Sequence, residues 1–335
     1  MRVLVVTDAW KPQVNGVVRT LEKLAEALGG MGVETEFLSP DGHRTVPLPS
    51  YPDIRLAVAT PGRVARRIVE LQPDSIHIAT EGPLGILARR HCVVRGIPFT
   101  TSYHTRFPEF LSARLPVPES WSYRWLRRFH NAGRGMLVAT PSLRDELAGR
   151  GFENIRLWSR GVDTDLYRPD RRRDPGLPRP VFLNVGRVAV EKNLPAFLDL
   201  DLPGSKLVVG DGPDMARLKA AYPQVHFAGA KFGEELASIY ASADAFVFPS
   251  RTDTFGNVLL EALASGCPVA AFPVTGPVDI LADGRGGVLS HDLREAALAA
   301  LATPRSEARA KAMTYSWREC ARQFLSHLPA TADPN

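Results

Sequence analysis

Short apolar runs alternate with segments of helical periodicity along most of the chain. Runs at 3–6, 34–38, 75–78, 99–102, 137–139 and 155–158 have the length and composition of buried strands, and residues 17–29, 61–71, 83–95, 119–131 and 142–150 read as helices between them. Residues 169–180 break the pattern. Four prolines and four arginines in that stretch suit neither a helix nor a strand and predict a linker. A second alternation follows, with strands at 181–185, 206–209, 226–227, 245–248 and 269–272 and helices near 213–221, 233–241, 256–265 and 291–302. A last helix at 317–328 is expected to return to the first domain. Such alternation implies α/β architecture, with parallel sheets covered on both faces. The expectation is two Rossmann-like, doubly wound domains, 1–168 and 181–315, the helix at 316–328 joining the first. They are expected to face each other across a cleft, with ligands at the carboxyl ends of the strands.

The length of 335 residues fits this division, since domains run to about 150 residues each. Composition narrows the setting. Apolar residues make up 44% and charged residues 23%, which describes an ordinary globular chain with a sizeable core. No run approaches the ~20 apolar residues of a membrane span. The first run stops at Thr7 and Asp8, so it reads as a strand and not as a cleavable leader. Cys92, Cys267 and Cys320 are scattered without a CxxC spacing, which gives no disulfide framework and points to the reducing cytoplasm. Residues 1–168 carry 23 Lys and Arg against 17 Asp and Glu, whereas residues 169–335 carry 18 against 19. The basic excess of the first half suits an anionic lipid surface, an anionic substrate or simply a solvated exterior. Nucleic acid is not expected as a partner, because no helix-turn-helix, zinc or aromatic-sheet pattern is present.

Three loops that follow strands carry candidate chemistry. The first runs from Asp8 to Val17 and holds Gly16 near a helix start, where backbone can approach an anion. It lacks the G-x-G-x-x-G fingerprint, and Asn15-Gly16 is also an ordinary turn. The second leaves the strand at 181–185 with Gly186, Arg187 and Lys192. A guanidinium fork and an ammonium close together suit a diphosphate, or are merely two surface cations. The third spans residues 249–266. Asp253 precedes a helix beginning near Gly256, and Glu261 stands eight residues later, inside it. Carboxylates placed so accept paired hydrogen bonds from sugar hydroxyls, although Asp253 also reads as a plain helix cap.

The third loop resembles the carboxylate–seven residues–carboxylate motif of the retaining GT-B glycosyltransferases, the family with glycogen-synthase-like and sucrose-synthase-like members. The resemblance covers nearly the whole chain. Asn15-Gly16-Val17, Ser102 to Thr105, Arg160 to Asp163, Gly186-Arg187 with Lys192, Gly210 to Pro213, and Glu261 to Gly266 fall in family order. Ser102 to Thr105 and Thr252 to Asn257 resemble the branch that holds sulfoquinovosyl-diacylglycerol synthase and bacterial lipid mannosyl- and glucuronosyl-transferases. Asp253 stands where the family commonly has Glu, but that branch also uses Asp.

The resemblance implies a retaining, metal-independent transfer of a hexose or uronic acid from a nucleotide-sugar, with UDP-glucose, UDP-glucuronate and GDP-mannose all open. It implies that Arg187 and Lys192 neutralise the leaving diphosphate, that Asp253 and His104 hold the transferred sugar, and that Glu261 takes the ribose. Gly16 would add a backbone N–H to the diphosphate. Thr254, Phe255, Gly256 and Asn257 would line the sugar, and Gly210, Gly212 and Lys231 would frame the base. The nucleotide-sugar is a substrate, so no cofactor is expected. Asp163-Thr-Asp165 and Asp199-Leu-Asp201 match D-x-D, a metal motif of another glycosyltransferase fold, and read as chance.

For the acceptor, residues 119–131 place Trp121, Trp125 and Phe129 four apart, with Arg124, Arg127 and Arg128 beside them. Phe107 adds apolar bulk near His104. Aromatics with arginines suit an anionic bilayer interface, and equally an inward-packed stripe with solvated arginines. The expected acceptor is a membrane lipid such as diacylglycerol, reached from the inner face of the cytoplasmic membrane. A soluble or polysaccharide acceptor is an alternative, as is a sugar-nucleotide 2-epimerase of the same architecture.

Overall fold

The computed structural model describes residues 1–331 except 12, 14, 49, 50 and 113–117; the side chains of 48, 51–54 and 110 are not described. The chain forms two units, Met1–Arg160 with Trp317–Asn335, and Gly161–Ser316.

The first unit holds β1 (Arg2–Val6), β2 (Glu34–Leu38), a hairpin of β3 (Arg44–Leu48) and β4 (Tyr51–Val58), then β5 (Ser75–Ile78), β6 (Thr100–Ser102), β7 (Gly135–Val138) and β8 (Ile155–Leu157). Six of these make one parallel sheet in the order β2-β1-β5-β6-β7-β8. Helices α1 (Gly16–Gly29), α2 (Pro61–Leu71), α3 (Pro83–Arg95), α4 (Phe107–Ser112), α5 (Glu119–His130) and α6 (Pro141–Gly149) connect them. The two-residue period of β1 sorts its side chains between the faces. Leu4 and Val6 pack with Val64, Ile68 and Leu84 of α2 and α3, while Val3 and Val5 pack with Leu21, Leu24 and Leu28 of α1. The hairpin was not expected from the sequence. Pro47 and Pro52 interrupt its apolar pattern, and proline is tolerated in a two-stranded ribbon because each strand keeps an unpaired edge.

The second unit holds β9 (Val181–Val185), β10 (Ser205–Val209), β11 (His226–Phe227), β12 (Ala245–Phe248), β13 (Val269–Ala271) and β14 (Gly287–Leu289) in the order β11-β10-β9-β12-β13-β14, all parallel. Its helices are α7 (Pro195–Leu198), α8 (Met215–Ala221), α9 (Gly233–Ser242), α10 (Asn257–Ala264), α11 (Pro277–Leu281), α12 (Leu293–Ala300) and α13 (Arg305–Ala312). Leu218 of α8 and Leu293, Ala296 and Ala300 of α12 cover one face over Phe182, Val208 and Val247. On the other side α10 packs on β12, β13, α9 and α13. The last helix, α14 (Trp317–Ser326), belongs to the first unit, where Phe324 and Cys320 join Trp158 against α1.

Residues 161–180, expected as a domain end and a linker, are built into the second unit. Val162 N–H donates to the Tyr315 carbonyl, and Arg309 donates to the carbonyls of Tyr167 and Thr164. Pro169–Arg171 forms a single 3-10 turn, with proline at its first position, where its missing N–H is not required.

Candidate active site

Both sheets have a switch point, where the strand order reverses and the crevice at the carboxyl ends is open to a ligand. In the second unit it lies at β9 and β12. The loop after β9 carries Arg187 and Lys192, and the loop after β12 carries Asp253. Lys192 Nζ donates to Asp253 Oδ1 at 2.6 Å, with both side chains part-buried. Asn193 holds the two loops together, adopting a left-handed φ of 51° and donating from Nδ2 to the Pro249 carbonyl at 3.0 Å. Asp253 is therefore no helix cap. The residue capping α10 is Gly256, whose φ of 87° favours glycine.

Close backbone approach accounts for the glycines of the neighbouring loops. A Cβ on Gly210 would lie 1.8 Å from the Gly186 carbonyl oxygen. Hydrogen bonds from Val188 N–H to Asp211, from Asp214 N–H to Val188 and from Gly210 N–H to Gly229 lace the loops after β9, β10 and β11 into one platform. Gly212, beside Val188, has the same cause. On the β12 side, Phe255 is buried with its ring edge-on to Tyr315.

Glu261 sits in the second turn of α10, 8% exposed, and accepts a hydrogen bond from Tyr240 Oη of α9 at 2.9 Å. Burying a carboxylate is costly without such a partner. Thr254 and Asn257 flank the helix start. Lys231 follows β11, two residues after Gly229, whose carbonyl accepts from Gly210 N–H. It pairs with Glu235 at 2.6 Å and lines a cavity of about 860 Å³ together with Arg171, Arg173 and His226, and that cavity is not lined by Arg187, Lys192, Asp253 or Glu261.

In the first unit the switch point lies at β1 and β5. Asp8, after β1, accepts from the N–H groups of Leu84 (2.8 Å) and Gly85 (3.2 Å), fixing the start of α3. Gly16 opens α1, where Asn15 caps the N–H groups of Val17 and Val18. His104 follows β6. Arg160 Nη2 lies 3.4 Å from His104 Nδ1, and the Trp158 ring packs edge-on to the imidazole. Burial and the positive charge of Arg160 hold His104 well below the usual histidine pKa.

Residues 14–166 match the family described as Glycosyltransferase Family 4, and residues 179–303 the one described as Glycosyl transferases group 1. The chain is 32% identical to a GDP-mannose-dependent alpha-mannosyltransferase of Mycobacterium tuberculosis, over 98% of this chain and 97% of the relative. The chain belongs to this glycosyltransferase family. It is also 33% identical to the sulfoquinovosyl transferase SQD2 of Arabidopsis thaliana, over 76% of this chain and 54% of that one. An alpha-monoglucosyldiacylglycerol synthase of Streptococcus pneumoniae shares 28% identity over 91% and 79%. The fold is GT-B. HepE of Anabaena, solved with UDP and glucose, superposes with a TM-score of 0.72 at 16% identity, covering 97% of this chain and 98% of its own.

For this glycosyltransferase the sequence located the loops but not their partners. Tyr240 and Asn193 carried no sequence signal, since each acts on a residue 21 or 56 positions away. Arg160 was visible only as part of a motif. Asp163 of the first D-x-D accepts from the N–H groups of Asp165 and Leu166, which makes it a turn residue. Asp199 of the second accepts from Tyr222 Oη. The aromatic stripe of α5 needs correction. Four residues advance a helix by about 40° beyond a full turn, so the three rings do not stay on one face. Trp121 is 71% and Trp125 42% exposed, whereas Phe129 is buried. Arg124, Arg127 and Arg128 are exposed beside the two tryptophans, and Phe107 of α4 is 39% exposed. Among the described residues no helix is long and apolar enough to cross a membrane.

Proposed function

We propose that this glycosyltransferase transfers mannose from GDP-mannose to a membrane lipid with retention of configuration and without a metal ion. The Lys192–Asp253 pair at the switch point of the second sheet carries this reading. In that pair each group stands in for substrate. A diphosphate would draw Lys192 away and join it to Arg187, leaving Asp253 to accept hydroxyls of the sugar. Arg187 and Lys192 then stabilise the charge that develops on the departing nucleotide, an effect that needs no ion. Glu261, oriented by Tyr240, accepts the ribose hydroxyls, and His104 contacts the transferred sugar. Retention follows if the leaving phosphate takes the acceptor proton on the same face.

The mannosyl donor is favoured by the 32% identity that spans nearly all of both chains. UDP-glucose and UDP-glucuronate are the competing donors. The lipid acceptor is supported by the exposed Trp121 and Trp125 among three exposed arginines, amphipathic tips for an anionic headgroup layer. The enzyme would then work as a peripheral protein on the inner face of the cytoplasmic membrane, with diacylglycerol-based lipids as the acceptor class.

A thermal-shift panel of GDP, UDP and ADP tests the donor, because a ligand stabilises in proportion to its occupancy. GDP should give the largest shift, and a larger shift with UDP would replace mannose by a UDP-sugar. Radiolabelled GDP-mannose with lipid extract, in the presence of EDTA, should give an organic-soluble α-linked product. Label released only as free sugar, or activity abolished by EDTA, would overturn the reading.

A further inference from the structure

The surroundings of Arg160 are unusual for a buried cation. Its side chain is only 4% exposed, and no carboxylate among the described residues lies within ion-pair distance. Nη1 donates to the carbonyls of Trp158 (2.8 Å) and Ser159 (3.1 Å), and the guanidinium lies 4.3 Å from the centre of the Trp158 ring. Trp158 is itself fixed, fully buried with Nε1 donating to the Cys320 carbonyl at 3.1 Å. Burying a guanidinium without a counter-charge is costly, and burial lowers the pKa of Arg160 to about 10. The remaining contact, from Nη2 to His104 Nδ1 at 3.4 Å, is the one that reaches a residue of the site.

We propose that Arg160 is a positioning residue: it fixes His104 as the neutral Nε2–H tautomer, so that the imidazole meets the substrate as a hydrogen-bond donor and not as a base. A guanidinium has five N–H donors and no acceptor. Whatever the ring's preference in water, the nitrogen facing Arg160 must offer a lone pair, so the ring proton resides on Nε2. The same contact disfavours the imidazolium, because a proton on Nδ1 would point at a positive charge.

The other titratable groups around His104 act in the same direction. His77 of β5 and His130 of α5 each disfavour a further positive charge there. His77 is held between Thr100 Oγ1 and Ser102 Oγ, both at 2.8 Å, and His130 between Thr101 Oγ1 at 2.9 Å and Glu81 Oε1 at 3.1 Å. On the α14 side the neighbour of Arg160 is Cys320. With Nδ1 engaged and Nε2 protonated, His104 has no site to receive the acceptor's proton. That agrees with a transfer in which the leaving phosphate receives it. Deployed this way, His104 donates to a sugar oxygen without placing a cation beside a ring that gains positive charge in the transition state.

The inference rests on the reading that His104 contacts the sugar, and the test separates the two. Long-range ¹⁵N–¹H spectra of the histidine-labelled full-length protein should show His104 with bare Nδ1 and protonated Nε2, unchanged between about pH 5 and 8. In Arg160→Met the Nδ1–H tautomer should become populated, and kcat/KM should fall about tenfold across the same pH range, while burial keeps the ring neutral. Arg160→Lys, which keeps a donor, should restore much of both the Nε2–H tautomer and the activity. A protonated Nδ1 in the unaltered protein overturns the proposal, whether or not any variant folds. An Arg160→Met protein with the same tautomer and the same kcat/KM also overturns it. His104→Ala with undiminished kcat/KM would instead remove His104 from the site and leave the tautomer result standing.

Discussion

The two units share an architecture but place charge differently. At the loops of the second sheet, the groups that matter are ionised and face each other: Lys192 on Asp253 at 2.6 Å, with both part-exposed. In the first sheet they are His77 of β5 and His104 after β6, held neutral beside Arg160, which has no carboxylate partner among the described residues. An exposed or half-exposed ion pair contributes little to stability, at most ~1 kcal/mol, so the second unit can give up its pair to a substrate at small cost. Buried histidines are different, because their neutrality is tied to folding. One unit is thus arranged to exchange partners, and the other to keep them.

The largest expected effect lies in the second unit. Lys192→Ala should lower kcat by about 100- to 1,000-fold, the usual loss when one electrostatic contact to a developing charge is removed. Its thermal midpoint should stay near that of the unaltered protein. Activity assays paired with calorimetry check both halves, and a large loss of stability would show that the pair serves the fold.

Acid should separate the units. Burial and Arg160 push His77 down to about 3, while an unfolded histidine takes up its proton near ~6.5. Between those values the unfolded state binds more protons, so the stabilisation is complete above ~6.5 and is lost as pH falls, by about 1.4 kcal/mol per pH unit for each such histidine. His104 acts in the same direction. All five tryptophans, Trp10, Trp121, Trp125, Trp158 and Trp317, belong to the first unit. Denaturation at falling pH should therefore shift the tryptophan-fluorescence transition to lower denaturant more than the far-ultraviolet circular dichroism transition. Coincident curves at every pH would mean that the two units unfold as one.

Smaller effects sharpen the contrast. Tyr240→Phe removes one hydrogen bond to Glu261 and should raise KM for the donor about fivefold with little change in kcat, the equivalent of ~1 kcal/mol; steady-state kinetics with varied donor would reveal it. Trp121→Ser should leave stability within ~0.5 kcal/mol, as an exposed position allows, while weakening sedimentation with anionic vesicles several-fold. Equal binding by the variant would move the membrane contact elsewhere.

Legibility differed with the range of the interaction. The buried strand β1 was plain as an apolar run and β9 as one interrupted only by Asn184, and the loops after β9 and β12 were plain because carboxyl edges carry ligands in this architecture. The separate β3–β4 hairpin, β14 and several short helices were not, since each is too short or too interrupted by proline for periodicity to register. The α5 stripe was misjudged because spacing by four drifts around the helix, which only the observed burial of Phe129 beside exposed Trp121 resolves.

What the chain alone determined was the class of architecture, the order of its loops and the chemical types those loops carry, because hydrophobic period and residue identity are local properties. Only the tertiary structure decided which groups meet. Lys192 reaches Asp253 across 61 residues, and Arg160 reaches His104 across 56, in the one case leaving a charged pair and in the other a neutral ring. Ionisation and tautomer are set by the neighbours that strand order and helix packing supply, and that proximity is absent from any linear spacing.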